Sequence, residues 1–217
     1  MWLKRYGFSK KQDKDIVMDD LTVDRDNNVA FISKEKFYYY RNAKFIRSSK
    51  KSCYSGVAAG PETEEIYLIQ CKTNRVILHE YKETDDGKKK HAHKSLKKFE
   101  VSHISSQGNG DLVAVGKNDK QVHRYSAESG EWTTVGDLTN ALKVTGGPDD
   151  SVFAIIEGDT VVKYNKRKET WEPFSDKENI HEVAANGAGG VYFQTKDLEL
   201  FATSDESLLE EQIIDCR

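Results

Sequence analysis

Apolar and polar residues alternate along this chain in short runs, and the runs recur in a fixed order. Five blocks join a polar or Gly/Asp turn to alternating apolar residues: DNNVAFI (26–32), EEIYLI (64–69), GDLVAV (110–115), DSVFAI (150–155) and GGVYFQ (189–194). With Val29, Ile66, Leu112, Val152 and Val191 as equivalent anchors, the spacings are 37, 46, 40 and 39 residues. A second run follows each anchor and ends in an aromatic, at Tyr40, Tyr81, Tyr125, Tyr164 and Phe201. A third precedes each anchor, with small residues near its end: LTVD (21–24), VAAG (57–60), ISSQ (104–107), VTGG (144–147) and VAAN (183–186). A fourth follows the aromatic, clearest in GEWTTV (130–135) and TWEPF (170–174). Period-two alternation between turn residues is the signal of antiparallel strands, and helical periodicity is nearly absent.

Four strands in about forty residues, repeated about five times, predict an all-β protein, a β-propeller of about five four-stranded blades. The innermost strands of such a ring crowd a central channel and need small side chains, whereas outer strands have room for Phe, Tyr and Trp. The blades fall at about 15–52, 53–100, 101–140, 141–179 and 180–217 with 1–10, making residues 1–217 a single domain. Closure has two readings. The tail SLLEEQIID can supply the last blade's fourth strand. Leu208, Leu209, Ile213 and Cys216 also share a helical face, with Ser207 and Glu210 spaced as a capping box. In that case Met1–Phe8, carrying Trp2, is the missing outer strand, and this N-terminal clasp is the favoured expectation.

Composition narrows the picture. The net charge is −3, but residues 1–100 hold 22 Lys+Arg against 15 Asp+Glu and the remainder 11 against 21. Such asymmetry fits a nucleic-acid or membrane face, or two ends of one ring that attract each other, and the second reading is favoured. The apolar runs, such as VFAII at 152–156, are far short of the roughly 20 residues of a membrane-spanning helix. The start, MWLKRYGFSKKQDKD, has charge with no apolar stretch behind it and does not read as a signal peptide. Cys53, Cys71 and Cys216 form an odd set without CxxC spacing, which predicts idle thiols in a reducing compartment rather than a disulfide framework or zinc site. The expected location is cytoplasmic, or secreted with a leader removed.

The stretch VTGGPDDSVFAIIEGDTVVKYNKRKETWEPF (144–174) resembles a repeat of the tectonin and tachylectin propellers. A Val-small-small-Gly strand precedes an Asp/Gly turn, an apolar-aromatic-Ala strand, a Tyr-terminated strand and a Trp-bearing strand. VAANGAGGVYFQTKDLELF (183–201) and LTVDRDNNVAFISKEKFYYY (21–40) match more loosely. Five blades resemble the tachylectin type, and the Trp-bearing fourth strand resembles tectonins. The resemblance implies a non-enzymatic, multivalent carbohydrate-binding lectin of recognition type, with glycans or glycoconjugates as partners. No WD dipeptide or Gly-His pair supports the WD-repeat class, and SAESGEW (126–132) is short of a full Asp-box turn.

Candidate sites follow from that chemistry. Trp2, Trp132 and Trp171 can stack on sugar rings or pack between blades. Asn109, Asp150 and Asn186, together with Asn27, Asn28 and Asp149, can bond hydroxyl groups or simply make turns. The loop KETDDGKKKHAHKSLKK (82–98), with His91 and His93, can grip an anionic surface or be a solvated hairpin tip. The acidic clusters DRDNN (24–28) and GPDD (147–150) lack EF-hand spacing. No catalytic motif, metal site or cofactor cradle is legible, and the pI of 6.1 argues against a dedicated nucleic-acid binder. The alternative to a lectin is a protein–protein interaction platform, and the third reading is a propeller glycosidase.

Overall fold

The computed structural model describes residues 18–24, 26–41, 44–47, 52–83, 89–108, 110–147, 150–185, 190–204 and 211–215. Every element among them is a β-strand, and every registered pairing is antiparallel. The chain divides into two compact units, Met1–Lys98 and Phe99–Arg217.

In the first unit, β1 (Asp20–Val23), β2 (Val29–Ser33), β3 (Lys36–Arg41) and β4 (Lys44–Arg47) form one sheet in chain order. They are followed by β5 (Tyr54–Ala59), β6 (Ile66–Gln70), β7 (Arg75–Glu83) and the long β8 (Lys89–Ser106), again in chain order. Ala30, Ile32, Phe37 and Tyr39 of the first sheet share a core with Tyr54, Val57, Ile66, Leu68 and Ile77 of the second. Apolar residues on facing strands thus bury one another sheet to sheet.

In the second unit, the end of β8 pairs with β9 (Leu112–Gly116), followed by β10 (Val122–Tyr125) and β11 (Trp132–Thr134). Two further sheets hold β12 (Ala141–Gly146), β13 (Val152–Ile156), β14 (Thr160–Asn165) and β15 (Thr170–Pro173), then β16 (Ile180–Ala185), β17 (Gly190–Thr195), β18 (Glu199–Ser204) and β19 (Glu211–Asp215). One core cluster joins β9–β11 to β12–β14 through Val113, Val122, Val144 and Ala154. A second joins β13–β15 to β16–β18 through Phe153, Ile155, Ile180 and Phe193. Each group of four consecutive strands is called a quartet below, β8 serving twice.

The five sequence anchors occupy one place in the repeat, pairing with the ends of the first strands: Val23↔Val29, Ala59↔Ile66, Ser106↔Leu112, Gly146↔Val152 and Ala185↔Val191. The first strands of four quartets also share a bulge at one position, residues 55, 102, 142 and 181. A bulge adds one residue and increases local twist, and all four extra residues point to solvent. The small residues of these strands have a direct cause. A Cβ on Gly146 would lie 2.7 Å from the Ser106 carbonyl oxygen and 2.5 Å from Gln107 Cγ.

Two expectations are corrected. The place beside β18 is taken by β19, registered through Leu200↔Ile214 and Ala202↔Glu211, so residues 211–215 are strand rather than helix. An open strand edge gains a full ladder of backbone hydrogen bonds there, which outweighs the local helical spacing. Met1–Phe8, and with it the clasp, lies outside the described residues. Second, Cys53 and Cys71 are not idle thiols but a disulfide, with Cα atoms 5.5 Å apart. The pair continues the β5–β6 ladder one step beyond Tyr54↔Gln70, with Cys71 N–H donated to Cys53 O. Their 18-residue separation in sequence concealed a direct cross-strand pairing.

Candidate functional site

Successive quartets are tied by two kinds of hydrogen bond, and these explain where side chains are used up. At the turn between second and third strands, a residue with positive φ presents its carbonyl to the first strand of the next quartet. Tyr54 N–H donates to Glu35 O, Ala141 N–H to Lys120 O and Ile180 N–H to Asp159 O, at 2.9–3.0 Å. Glu35, Lys120 and Asp159 have φ of 60°, 53° and 57°. Along the first strands, polar side chains accept backbone N–H groups from the next quartet. Asp20 Oδ2 accepts from Val57, Thr22 Oγ1 from Ala59, His103 Nδ1 from Val144 and Ser105 Oγ from Gly146. The Lys143 ammonium likewise reaches the His181 carbonyl and the Glu182 carboxylate. Sequence reasoning missed this polar pair. Its signal is the alternation in DLTV, HISS and KVTG, read above only for its small residues.

Burial pushes the His103 imidazole down to about 4, with Glu182 opposing and Lys143 adding to the shift. It is therefore neutral at ordinary pH and free to accept the Val144 N–H. Asp24 is buried, which by itself raises its pKa, but hydrogen bonds from Tyr39 and Asn28 outweigh this and hold it below the usual carboxylate range. Its oxygens receive the Tyr39 hydroxyl at 2.6 Å and the N–H groups of Asp26, Asn28 and Glu64. Its carboxylate pins the β1–β2 turn to β3.

Of the six residues singled out for sugar binding, Trp2, Asn109 and Asn186 lie outside the described residues. Trp171, on β15, is half-buried against the β9–β14 core, its ring 5.3 Å from Tyr164 and its Nε1–H donated to Val135 O at 3.0 Å. Gly136 makes room for it, because a Cβ there would lie 2.7 Å from Trp171 Nε1. Trp132, on β11, is half-buried between Phe99 and Tyr125, with ring centroids 5.0 and 5.2 Å away. Its Nε1 has no acceptor among the described residues. Asp150 holds the β12–β13 turn at φ 61°. Its carboxylate binds Lys166 and its carbonyl accepts from Arg124 Nη2, both at 2.9 Å. The Lys166 hydrogen bond is the main cause that lowers the Asp150 pKa. The structure therefore brings Arg124, Asp150 and Lys166 together on the turn side of two adjacent quartets, whereas Trp132 pairs with Tyr125 across β10 and β11. Trp171 is tied instead into the interface between those two quartets.

Other clusters are structural. His123 is buried, its Nε2 3.0 Å from Asp119 and its Nδ1 3.4 Å from Thr134 Oγ1. This has the residue types of a nucleophile relay, yet Asp119 also accepts the Gln121 N–H and Phe99 packs on the imidazole, so the group locks a turn onto β11. His93 is exposed, with its ring 4.9 Å from His79, and residues 84–88 of the lysine-rich loop lie outside the described residues. Glu35, Cys53 and Cys71 place their ligand atoms within 4.8 Å of one another, with both sulfurs in the disulfide.

No protein-family model and no curated protein matches the chain. Among solved structures, it is similar to one described as a nidogen/laminin complex, with a TM-score of 0.70 and 13% identity over 91% of this chain and 80% of that one. It is similar to YCF48 bound to D1 peptide, with a TM-score of 0.60 and 11% identity over 93% and 68%. It is also similar to virginiamycin B lyase from Staphylococcus aureus, with a TM-score of 0.59 and 22% identity over 89% and 69%. These neighbours are propellers, and the fold of this chain is a β-propeller.

Proposed function

We propose that the chain is a protein-interaction propeller in which each quartet is a blade, five in number, and which binds an extended peptide segment of a partner. Its contact surface is the turn side of the second unit around Arg124, Asp150 and Lys166. The observation that carries this reading is the likeness to propellers solved with a peptide and with a protein partner. The use of the Trp171 indole inside the quartet interface, which leaves little of it to stack on a sugar, favours the same reading. The Cys53–Cys71 disulfide supports an oxidising compartment as the place of action.

Selection from a random peptide display library tests the proposal, with a glycan array run beside it. The expected result is a convergent peptide sequence whose binding, followed by calorimetry, falls about tenfold with Lys166→Glu, as loss of one charge contact does. Sugar-selective binding on the array with no peptide enrichment would overturn it in favour of a lectin.

A further inference from the structure

Among the described residues, one group of side chains has the chemistry of a metal ligand set. The Glu35 carboxylate and the sulfurs of Cys53 and Cys71 lie within 4.8 Å of one another. Backbone contacts, and not the bridge alone, hold the three residues together. Cys71 N–H donates to Cys53 O at 3.2 Å, next to the Tyr54↔Gln70 pair of the β5–β6 ladder. Glu35 O accepts the Tyr54 N–H at 3.0 Å, and the Lys36 ammonium reaches the Ser52 carbonyl. The turn between β2 and β3 is thus tied to the residues on both sides of Cys53. Glu35 is exposed and both cysteines are half-buried, so small reagents reach the group from solvent.

Once the bridge is opened, the same contacts still bring two thiols and a carboxylate to one place. A tetrahedral zinc ion holds sulfur at about 2.3 Å and oxygen at about 2.1 Å, which spaces its ligand atoms about 3.5–3.8 Å apart. Rotation about the cysteine Cα–Cβ bonds gives that spacing between sulfurs whose Cα atoms are 5.5 Å apart. Two thiolates select a soft or borderline ion over magnesium or calcium, and a water completes a site with three protein ligands.

We propose that Glu35, Cys53 and Cys71 form a zinc site that exists only when the bridge is reduced, so that bridge and ion are alternative clamps on the adjoining ends of β5 and β6. A dithiol supplies the two electrons. One of its thiolates attacks a bridge sulfur, its second sulfur closes on the first, and it leaves as a cyclic disulfide with its two protons passed to Cys53 and Cys71. Zinc then displaces those two protons and binds both thiolates and the Glu35 carboxylate. In the oxidised chain the sulfurs bond each other and the cluster is purely structural.

The test uses the full chain with Cys216→Ser, reduced with dithiothreitol and freed of it by anaerobic gel filtration. Titration with Co²⁺, a spectroscopic stand-in for zinc, should give a thiolate charge-transfer band and the visible bands of a tetrahedral site at one ion per chain, and Zn²⁺ should bleach both. The oxidised chain should show neither. Glu35→Gln, which keeps the bridge and both thiols, should weaken Zn²⁺ binding about tenfold or more in competition with a chromophoric chelator, since even an outer-shell partner is worth that much. Zn²⁺ should also restore slow hydrogen exchange to peptides from 52–83 of the reduced chain. Absence of a thiolate band after reduction, or its presence in the oxidised chain, would overturn the proposal. Equal Zn²⁺ affinity in Glu35→Gln would overturn it too, because the ion is then held by two thiols of a loosened chain without the β2–β3 turn. So would fast exchange in 52–83 that zinc leaves unchanged.

Discussion

At the scale of single residues, His103 joins stability to pH. The unfolded imidazole titrates near 6.5 and the folded one near 4, so the unfolded chain takes up the proton first as pH falls. The His103 contribution to stability is therefore undiminished above pH 6.5, falls through the interval down to about pH 4 and changes no further below it. The folded group's depression corresponds to about 3 kcal/mol at about 1.4 kcal/mol per unit. Urea unfolding across that interval should show this slope in the wild type and a flatter one in His103→Gln, which keeps a neutral acceptor for the Val144 N–H. Equal slopes would mean that His103 is not the source of acid sensitivity in that interval. Trp171 offers a second residue-scale measurement. Trp171→Phe removes the bond to Val135 O while keeping a ring against Tyr164, and should cost about 1 kcal/mol. Trp171→Ala also empties the core edge and should cost about 3 kcal/mol or more. If both variants unfold at the wild-type denaturant midpoint, the indole is not an interface residue.

At the scale of elements, period-two alternation was enough to place the strands, and the anchors fall at one register because turn chemistry and apolar alternation agree there. Less legible was everything that depends on a partner strand. The tail allows both strand and helix because LLEEQIID also has helical spacing, and only the open edge of β18 decides in favour of strand. The Cys53–Cys71 pair was invisible because the two residues adjoin only once β5 and β6 are in register. The candidate site was partly legible. Asp150 was found from its turn, but the partners that define its environment, Arg124 and Lys166, lie 26 and 16 residues away. Trp132 and Trp171 stood out as equivalent positions, and the sequence allowed both packing and stacking. Local spacing cannot tell these apart, because the answer for Trp171 rests on a carbonyl 36 residues earlier.

At the scale of the whole molecule, the cores lie between consecutive quartets, so stability is built from nearest-neighbour interfaces. Among the described residues, the first unit has one such core, joining β2 and β3 to β5–β7, and it carries the disulfide. The described residues of the second unit form two, with Phe153 and Ala154 of β13 facing opposite ways into them. A bridge closing a loop of this length stabilises by about 3 kcal/mol in the chain-entropy account, and that stabilisation belongs to the quartet that holds it. Reduction should therefore loosen residues 52–83 first and residues 29–41 through their shared core, whereas the ladders at 112–125 and 152–165 keep their own interfaces. Hydrogen exchange followed by mass spectrometry, with and without a phosphine reductant, reads this directly. The expected result is faster exchange in peptides from 52–83, a smaller increase in 29–41 and unchanged protection in 112–165. A uniform rise along the chain would mean that the molecule unfolds as one cooperative body, and no change in 52–83 would mean that the ladder between β5 and β6 holds without its bridge.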